Sequence, residues 1–318
     1  MSPSAEATGG NASGAPKEEG LGQAFTQQVI DSFGPKTDPR LRELMSSFIQ
    51  HMHDFARETQ LTCDEWMTAV NMINWAGQMS TDKRNEGQLM CDVIGLESLV
   101  DDITHRQAVK NGFSGTETAI LGPFWRQDTP IRENGTTITF DTPSDGKVAY
   151  LYGTVTSATT GKPIPNASVD VWQASTNGLY EQQDDKQVEH NLRGKFITDD
   201  QGRYSFYCLR PTPYPVPQDG PAGKLLQKLD RHVFRPAHLH FMVSSYVIQM
   251  QDCDTNISQV IAKGYNSVVT QIFDSDSGYL DNDSVFAVKD NLTVTFVPRK
   301  GDPQAEWELE YNMTLATE

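Results

Sequence analysis

Residues 231–241 read RHVFRPAHLHF, and the rest of the chain is best interpreted outward from this stretch. His238 and His240 stand at i and i+2, with apolar Leu239 between them. In a β-strand side chains alternate between faces, so both imidazoles would point the same way with their Cα atoms about 7 Å apart. Two imidazoles at that separation can share a metal ion. A strand that merely exposes two histidines would give the same pattern.

The residues before the first histidine indicate where this strand starts. Pro236 holds Arg235 in an extended conformation, and proline is tolerated at the beginning of a strand. The sequence therefore places a cation three residues before His238.

Composition limits the class of partner. The 318 residues contain 26 Lys and Arg against 42 Asp and Glu, a formal net charge of −16. Such an acidic chain argues against nucleic acid or an anionic membrane as partner. No run of eighteen apolar residues occurs, so no membrane span is predicted.

The N-terminus and the cysteines favour a cytoplasmic protein. Residues 1–21 are rich in Ser, Gly, Ala and Glu and contain no apolar h-region, which predicts a disordered tail rather than a signal peptide. Scattered cysteines without CxxC spacing are typical of reduced thiols. They are Cys63, Cys91, Cys208 and Cys253.

A helical region follows the tail and, with its connector, spans residues 22–125. Asp38-Pro39 reads as a helix start, and Thr62 with Glu65 reads as a capping box. A third helix is predicted from Glu86 to about Thr104. The histidines of this region have no ligand spacing and are interpreted as structural or exposed; they are His51, His53 and His105.

Residues 126–318 change character and read as many short strands separated by Gly, Pro, Asn and Asp turns. The predicted fold is therefore α+β, with an antiparallel β-sandwich after the helices. A proline-rich loop from Leu209 to Pro221 holds Tyr214 on a stiff backbone. The polar segment 245–263 is longer than a hairpin needs and is either an insertion over the site or a surface excursion.

Two tyrosines in special settings suggest which metal the histidines would share. Tyr180 lies at the lip of a turn just past a predicted strand, and Tyr214 lies in the proline-rich loop. A phenol has a pKa of about 10, so a tyrosinate ligand at neutral pH requires a strongly Lewis-acidic ion. Ferric iron, Fe(III), meets that requirement and suits hard oxygen donors. Each tyrosine alone could equally be an ordinary loop aromatic.

Six separated segments together resemble the intradiol ring-cleavage dioxygenases, and among them the hydroxyquinol 1,2-dioxygenases. The likeness covers essentially everything after residue 22, in order. The segments are TETAILGPFW (116–125), GKPIPNASVDVWQASTNGLY (161–180), NLRGKFITDDQGRYSF (191–206), PTPYPVPQDGP (211–221), RPAHLHFMV (235–243) and VVTQIFDSDSGYLDNDSVFAVKDNL (268–292).

The resemblance implies a site. Ferric iron would be held by Tyr180, Tyr214, His238 and His240. Tyr204 also follows a turn, but the family's second tyrosinate falls at Tyr214. Tyr214 would take up a substrate proton, Arg235 would stabilise charge on the ring, and Gln271 would be a second polar contact. The ring would be cut between its two hydroxyl-bearing carbons, which gives a diacid.

The resemblance also implies a substrate pocket. Its wall would be formed by Leu89, Asp92, Ile120, Leu121, Gly122, Pro123 and Phe124. Asp92 could accept a hydrogen bond from a third ring hydroxyl, which hydroxyquinol has and catechol lacks; as a plain helix residue it would be solvated. The expected reaction converts hydroxyquinol and O2 to maleylacetate, with catechol cleavage to cis,cis-muconate as the alternative.

The same family likeness bears on assembly. The helices would form a homodimer, and in relatives they can hold a lipid in an apolar groove. The apolar stripe from Leu41 to Phe55 fits either that role or simple packing. An interpretation from another class is a metal-free β-sandwich binding module, because GKPIPNASVDVW also resembles carboxypeptidase-regulatory and transthyretin-like domains.

Overall fold

A computed structural model describes residues 21–110, 112, 115–248, 259–261 and 264–317, without the side chains of 246–248 and 259–261. The predicted tail, apart from Leu21, lies outside the described residues, as do Cys253 and most of the segment 245–263. The chain forms two compact units, one ending at Asn71 and the other starting at Met72.

The described part of the chain contains six α-helices and three short 3-10 helices, none of which is long and apolar enough to cross a membrane. The α-helices are α1 (Gln23–Asp31), α2 (Pro39–Thr59), α3 (Cys63–Met79), α4 (Glu86–Val93), α5 (Leu96–Lys110) and α6 (Pro221–Lys228).

Two predicted helix starts are confirmed. The Asp38 carboxylate accepts a hydrogen bond from the Leu41 backbone N–H at 3.0 Å, with Pro39 in the first turn of α2. Before α3, Thr62 and Glu65 exchange hydrogen bonds: each residue's side-chain oxygen accepts from the other's backbone N–H. These local contacts are what the sequence pattern encodes.

The helix predicted from Glu86 to Thr104 is wrong as a single element, because it breaks between α4 and α5. Gly95 adopts φ +75°, a left-handed conformation in which a Cβ would lie 3.2 Å from the Phe286 ring. Helix α6 was not predicted from the sequence. Pro221 opens that helix after Gly220, a start signal hidden among the prolines of the loop.

Fifteen strands are present in the described residues. They are β1 (Ile131–Arg132), β2 (Val148–Ser157), β3 (Ser168–Trp172), β4 (Arg193–Ile197), β5 (Arg203–Leu209), β6 (Tyr214–Pro215), β7 (Phe234–Arg235), β8 (His238–Ser244), β9 (Tyr246–Ile248), β10 (Gln259–Ile261), β11 (Val268–Asp274), β12 (Thr293–Val294), β13 (Val297–Pro298), β14 (Trp307–Glu310) and β15 (Met313–Leu315).

The two larger sheets are mixed, which corrects the predicted antiparallel arrangement. One has the order β1-β4-β3-β8-β11-β12, antiparallel in its centre with parallel pairs at both edges. In the other, β2 pairs antiparallel with β5 but parallel with β14 and β15. Parallel partners need a long crossover rather than a hairpin, so short turns do not reveal them.

Both sheets contribute to one apolar core. Leu151 of β2 and Phe206 of β5 are fully buried in it, as are Val169 of β3 and Phe241 of β8. The Phe206 and Phe241 ring centroids lie 6.5 Å apart, which joins the two sheets. The architecture is α+β, as predicted, and its rigid core supports the strand that carries the two histidines.

Candidate metal centre

His238 and His240 are the first and third residues of β8, a central strand of the six-stranded sheet. Both side chains are buried, and their Nε2 atoms lie 3.2 Å apart. The prediction that both imidazoles share one face of a strand is therefore confirmed. Neighbouring strands fix the register: His240 lies opposite Gln271 of β11 and Trp172 of β3.

The hydrogen bonding of His238 selects a tautomer. Its Nδ1 lies 2.7 Å from the Pro236 carbonyl oxygen, which can only accept, so the proton resides on Nδ1. The Nε2 lone pair then faces the cluster, the arrangement usual for a metal-binding histidine.

His240 is held between an aromatic ring and a stretch of backbone. The Trp172 ring stacks on the imidazole at 4.9 Å with an interplanar angle of 12°. On another side Gly122 adopts φ +75°, and a Cβ there would lie 3.1 Å from His240 Cε1. Glycine is required at that position both by the conformation and by the close approach.

Tyr180 enters the cluster from the turn that follows β3. Its ring stacks on Phe124 at 4.6 Å and is 1 % exposed. Gly178, at φ +82°, lets this turn pass so close to the proline-rich loop that a Cβ would lie 3.0 Å from Tyr214 Cβ. The turn residues thus bring the two phenols together.

Tyr214 enters from the other side, on β6 of the proline-rich loop. The antiparallel β6–β7 pair sets Tyr214 directly opposite Arg235. The Tyr214 hydroxyl lies 3.0 Å from the Tyr180 hydroxyl and 3.3 Å from His238 Nε2. By contrast, the Tyr204 hydroxyl donates to the Tyr311 carbonyl oxygen at 2.6 Å, within the main core.

The donor spacing suits a single first-row metal ion. Two ligands at about 2.1 Å from such an ion, at angles between right and tetrahedral, are about 3.0–3.4 Å apart. The separations along the series Tyr180, Tyr214, His238 and His240 are 3.0, 3.3 and 3.2 Å. His238 Nε2 has a single lone pair, yet the Tyr214 hydroxyl, Arg235 Nη1 and His240 Nε2 all lie within 3.3 Å of it. A cation bound at the centre of the cluster would give this lone pair one partner.

Burial sets the protonation states of these four side chains. Burial lowers the pKa of His238 and of His240 well below the ordinary value, so both imidazoles are in the neutral, ligating form. Burial also raises the pKa of Tyr214, and that of Tyr180 well above its ordinary value. The phenols would therefore lose their protons only to a strong local positive charge.

Arg235 supplies a buried, fixed cation beside the cluster. Its Nη1 lies 2.9 Å from His238 Nε2, while its other nitrogens donate to Asp283 and to Gln271 Oε1 at 2.8 Å. Burial alone would lower the Arg235 pKa, but the Asp283 carboxylate raises it above its ordinary value. Asp283 was not predicted as a site residue, because no sequence pattern links it to Arg235, which is 48 positions away.

Some of the predicted wall residues contact the cluster or its neighbours: Gly122 lies against His240, and Phe124 stacks on Tyr180. Gln271 Nε2 donates to the Ile120 carbonyl oxygen at 2.7 Å, and Ile120 and Leu89 pack in a second apolar core with Phe273. Asp92 is 1 % exposed, and the Arg235 guanidinium opposes the rise in its pKa that burial causes. Leu121 and Pro123 are half-buried and alternate with the buried residues Gly122 and Phe124.

A buried ionic network lies behind Tyr180 and was not predicted from the sequence. Glu181, the next residue, accepts from Arg193 Nε at 2.8 Å and from Arg126 at 3.0 Å. Arg193 also donates to the Phe124 carbonyl oxygen at 2.7 Å. The network thus fixes both Tyr180 and the Phe124 ring that stacks on it.

Two other features are weaker candidates. Asp128, Glu189 and His190 cluster within ligand distance of one another, but both carboxylates already accept from Arg126 at a solvent-exposed surface. A cavity of about 650 Å³ lies over β2 and β5, and none of the four donor residues lines it. The tyrosine–histidine cluster remains the candidate centre.

Known proteins resemble this chain over most of its length. Residues 120–317 match the family model described as dioxygenase, and residues 38–112 match that of the catechol dioxygenase N terminus. An intradiol ring-cleavage dioxygenase of Aspergillus niger is 48% identical over 292 residues, 92% of this chain and 87% of that protein. A catechol 1,2-dioxygenase of Candida albicans is 46% identical, covering 94% and 93%.

A solved structure is similar as well. The hydroxyquinol 1,2-dioxygenase of Pseudomonas putida DLL-E4 superposes with a TM-score of 0.75 at 35% identity, covering 93% of this chain and 98% of that one. The chain belongs to the intradiol ring-cleavage dioxygenases, oxidoreductases of aromatic catabolism that use non-haem iron. It is thus an enzyme, and the metal-free binding module is set aside.

Proposed function

We propose that this enzyme cleaves hydroxyquinol with O2 at a ferric ion, giving maleylacetate, and that Tyr180, Tyr214, His238 and His240 hold the ion. The donor spacing of 3.0 to 3.3 Å and the two neutral imidazoles support this ligand set. When bound, ferric iron would supply the Lewis acidity that ionises the phenols and activates the coordinated diol.

The chain's own residues have separate tasks in this proposal. Tyr214 accepts a proton from the entering diol, since its hydroxyl lies between Tyr180 and His238 at the end of the short strand β6. Arg235 stabilises negative charge on the bound ring, because Asp283 and Gln271 fix its guanidinium in a dry site. Gln271 orients both Arg235 and the Ile120 backbone.

One observation carries the choice of hydroxyquinol. Asp92 is 1 % exposed, and its Oδ1 has no hydrogen-bond partner among the described residues. An unsatisfied buried oxygen is costly unless a ligand completes it. The third hydroxyl of hydroxyquinol would donate to this oxygen, whereas catechol has no group to do so.

Catechol is the second candidate, supported by the 46% identity to the Candida albicans enzyme. Oxygen uptake measured with hydroxyquinol and catechol side by side distinguishes the two. Iron analysis together with a visible spectrum tests the ligand set, because tyrosinate-to-iron charge transfer colours a protein red. Full iron occupancy without that colour would contradict the two tyrosinates.

For assembly, we propose that residues 22–125 mediate a homodimer and that residues 126–318 carry the catalytic site. The support is α2, whose apolar side chains are exposed: Leu41, Leu44, Met45, Phe48, Met52 and Phe55. Light scattering of wild-type protein and of Phe48→Glu tests this, with a monomeric wild type as the contrary result. Extraction followed by mass spectrometry would test for a lipid on the same stripe.

We further propose a cytoplasmic location, in which Cys63, Cys91 and Cys208 remain the free thiols that they are in the structure. Fractionation of cells that express the protein, with detection by antibody, tests this location.

A further inference from the structure

Asp92, at the end of α4, is hydrogen-bonded to a second carboxyl group, that of Glu97 in the first turn of α5. Two carboxylates offer only acceptors, so such a bond requires a proton on one of them. Like charges in contact also oppose ionisation of both groups. The pair therefore carries one proton and one negative charge.

The surroundings decide which group keeps the proton. Glu97 Oε1 accepts from the Leu121 backbone N–H at 2.9 Å, and the Gln88 amide lies within 3.1 Å of both Glu97 oxygens. Donated N–H groups stabilise a carboxylate. Asp92 is the more buried partner, and its Oδ1 receives no hydrogen bond within the described part of the chain. The charge thus resides on Glu97 and the proton on Asp92.

The electrostatic balance at Asp92 agrees with this assignment. Burial first, and Glu97 second, raise the pKa of Asp92 to about 10, with a further contribution from Asp283. The Arg235 guanidinium works in the opposite direction but is outweighed. Cys91 is a further titratable neighbour, and the pKa of its thiol is raised by its own burial and by the charge of the Asp92–Glu97 pair.

We propose that Glu97 is a specificity-determining positioning residue: its carboxylate accepts a hydrogen bond from the protonated Asp92 carboxyl group and so presents Asp92 Oδ1 as an uncharged acceptor for the third hydroxyl of the substrate. This inference rests on the proposed hydroxyquinol activity and adds to it. Glu97 acts through Asp92 and through Leu121, whose neighbour Gly122 lies against His240.

A neutral Asp92 suits the substrate. In the proposed function the diol gives a proton to Tyr214 and binds as an anion, so a negative charge at the pocket wall would repel it, strongly so in a site with little water. The carbonyl oxygen of a protonated carboxyl group accepts a hydrogen bond without that repulsion. A carboxylate would offer the same contact at the cost of charge repulsion.

Two substitutions at Asp92 separate these states. In Asp92→Asn the amide can donate Nδ2–H to Glu97 and leave Oδ1 free, which copies the protonated acid; Asp92→Ala removes the acceptor. With hydroxyquinol, kcat/KM of Asp92→Asn should exceed that of Asp92→Ala by about fivefold or more, as expected for one hydrogen bond. With catechol the two variants should be alike. Equal losses with hydroxyquinol would overturn the neutral acceptor.

Infrared difference spectra of the iron-loaded enzyme test the proton without reference to turnover. The wild type at pH 7 should show a protonated-carboxyl C=O band that Asp92→Asn lacks, and its absence would refute the shared proton. In Glu97→Gln the Leu121 N–H needs Oε1, so Nε2–H turns toward Asp92 and favours its charged form. This band should then disappear and KM for hydroxyquinol should rise more than kcat falls. An unchanged band and KM would exclude the role of Glu97.

These outcomes differ from failure of the proposed function. Faster turnover of catechol by the wild type would overturn the hydroxyquinol assignment and the third-hydroxyl contact with it. The infrared band reports only on the Asp92–Glu97 pair. Visible spectra of all three variants should match that of the wild type, because none of the substitutions touches an iron ligand.

Discussion

The hydroxyl oxygens of Tyr180 and Tyr214 lie 3.0 Å apart, although thirty-four residues separate them in the chain. One tyrosine follows β3 and the other lies on β6, so only the assembled fold brings them together. Without a cation the two phenols remain protonated and hydrogen-bonded to each other, since burial raises the pKa of both. The pair is thus preformed for an ion that can remove both protons.

Tyr180→Phe should abolish the charge-transfer colour and reduce kcat by more than about a hundredfold. Loss of a residue that only hydrogen-bonds to a metal ligand already lowers metal affinity or activity by about 10- to 100-fold. Tyr204→Phe is the matched control. It removes one buried hydrogen bond to Tyr311, so it should cost about 1 kcal/mol of stability and keep the colour. Visible spectroscopy with iron analysis decides, and the reverse pattern would refute the ligand assignment.

Arg235→Lys should keep the iron but lower kcat at least about tenfold, because an ammonium cannot reproduce the fork that contacts Asp283 and Gln271 together. Arg231→Lys, in the same stretch, is the control. Arg231 donates to the carbonyl oxygens of Val93 and Ser284 and lies over the Phe286 ring, and these contacts include neither Asp283 nor a proposed ligand. Steady-state kinetics should therefore separate the two variants, and equal rates would argue against a catalytic cation at Arg235.

Arg193→Met should destabilise the protein by about 3 kcal/mol, since it leaves the buried Glu181 carboxylate without one of its two cations. The charge-transfer band should also shift, because Glu181 adjoins Tyr180. Arg203→Met breaks only a largely exposed pair with Asp199 and should cost less than about 1 kcal/mol. Urea titration measures the free energy of unfolding of both variants. Similar losses would show that the buried network stabilises the protein no more than an exposed ion pair does.

The contribution of Asp170 to the stability of the folded protein should fall as pH rises from 5 to 7. Burial raises the pKa of this 3 % exposed carboxyl to about 7, although Lys195 and Trp125 oppose the shift. The folded state therefore keeps a proton that the unfolded chain loses near pH 4, and folding is penalised above that pH. Relative to wild type, Asp170→Asn should gain about 2 kcal/mol between pH 5 and 7. A pH-independent difference would contradict the raised pKa.

Local signals in the sequence predicted local structure well. The cap at Asp38, the capping box at Thr62 and the shared face of His238 and His240 all depend on residues within four positions, and the structure confirms them. The roles of the four proposed ligands came from a family resemblance and stay predictions. Their geometry, however, is compatible with one metal ion.

Long-range pairing explains what the sequence could not reveal. Asp283 contacts Arg235 across forty-eight positions, and Arg126 contacts Glu181 across fifty-five. In the sequence, a carboxylate in a turn that faces solvent cannot be distinguished from one that faces a buried guanidinium. The strand directions beside β2 were missed for the same reason, since no turn connects them.

The parallel pairing of β2 with β14 and β15 has a consequence for biosynthesis. Leu151 pairs with Leu309, and Val155 with Met313, so each pair can form only after a further 158 residues have been synthesised. Until then one edge of β2 stays open beside an apolar surface, the kind of edge that recruits other strands. A chain stalled before Trp307 would therefore expose this edge, and the sheet can be completed only once β14 and β15 have been synthesised.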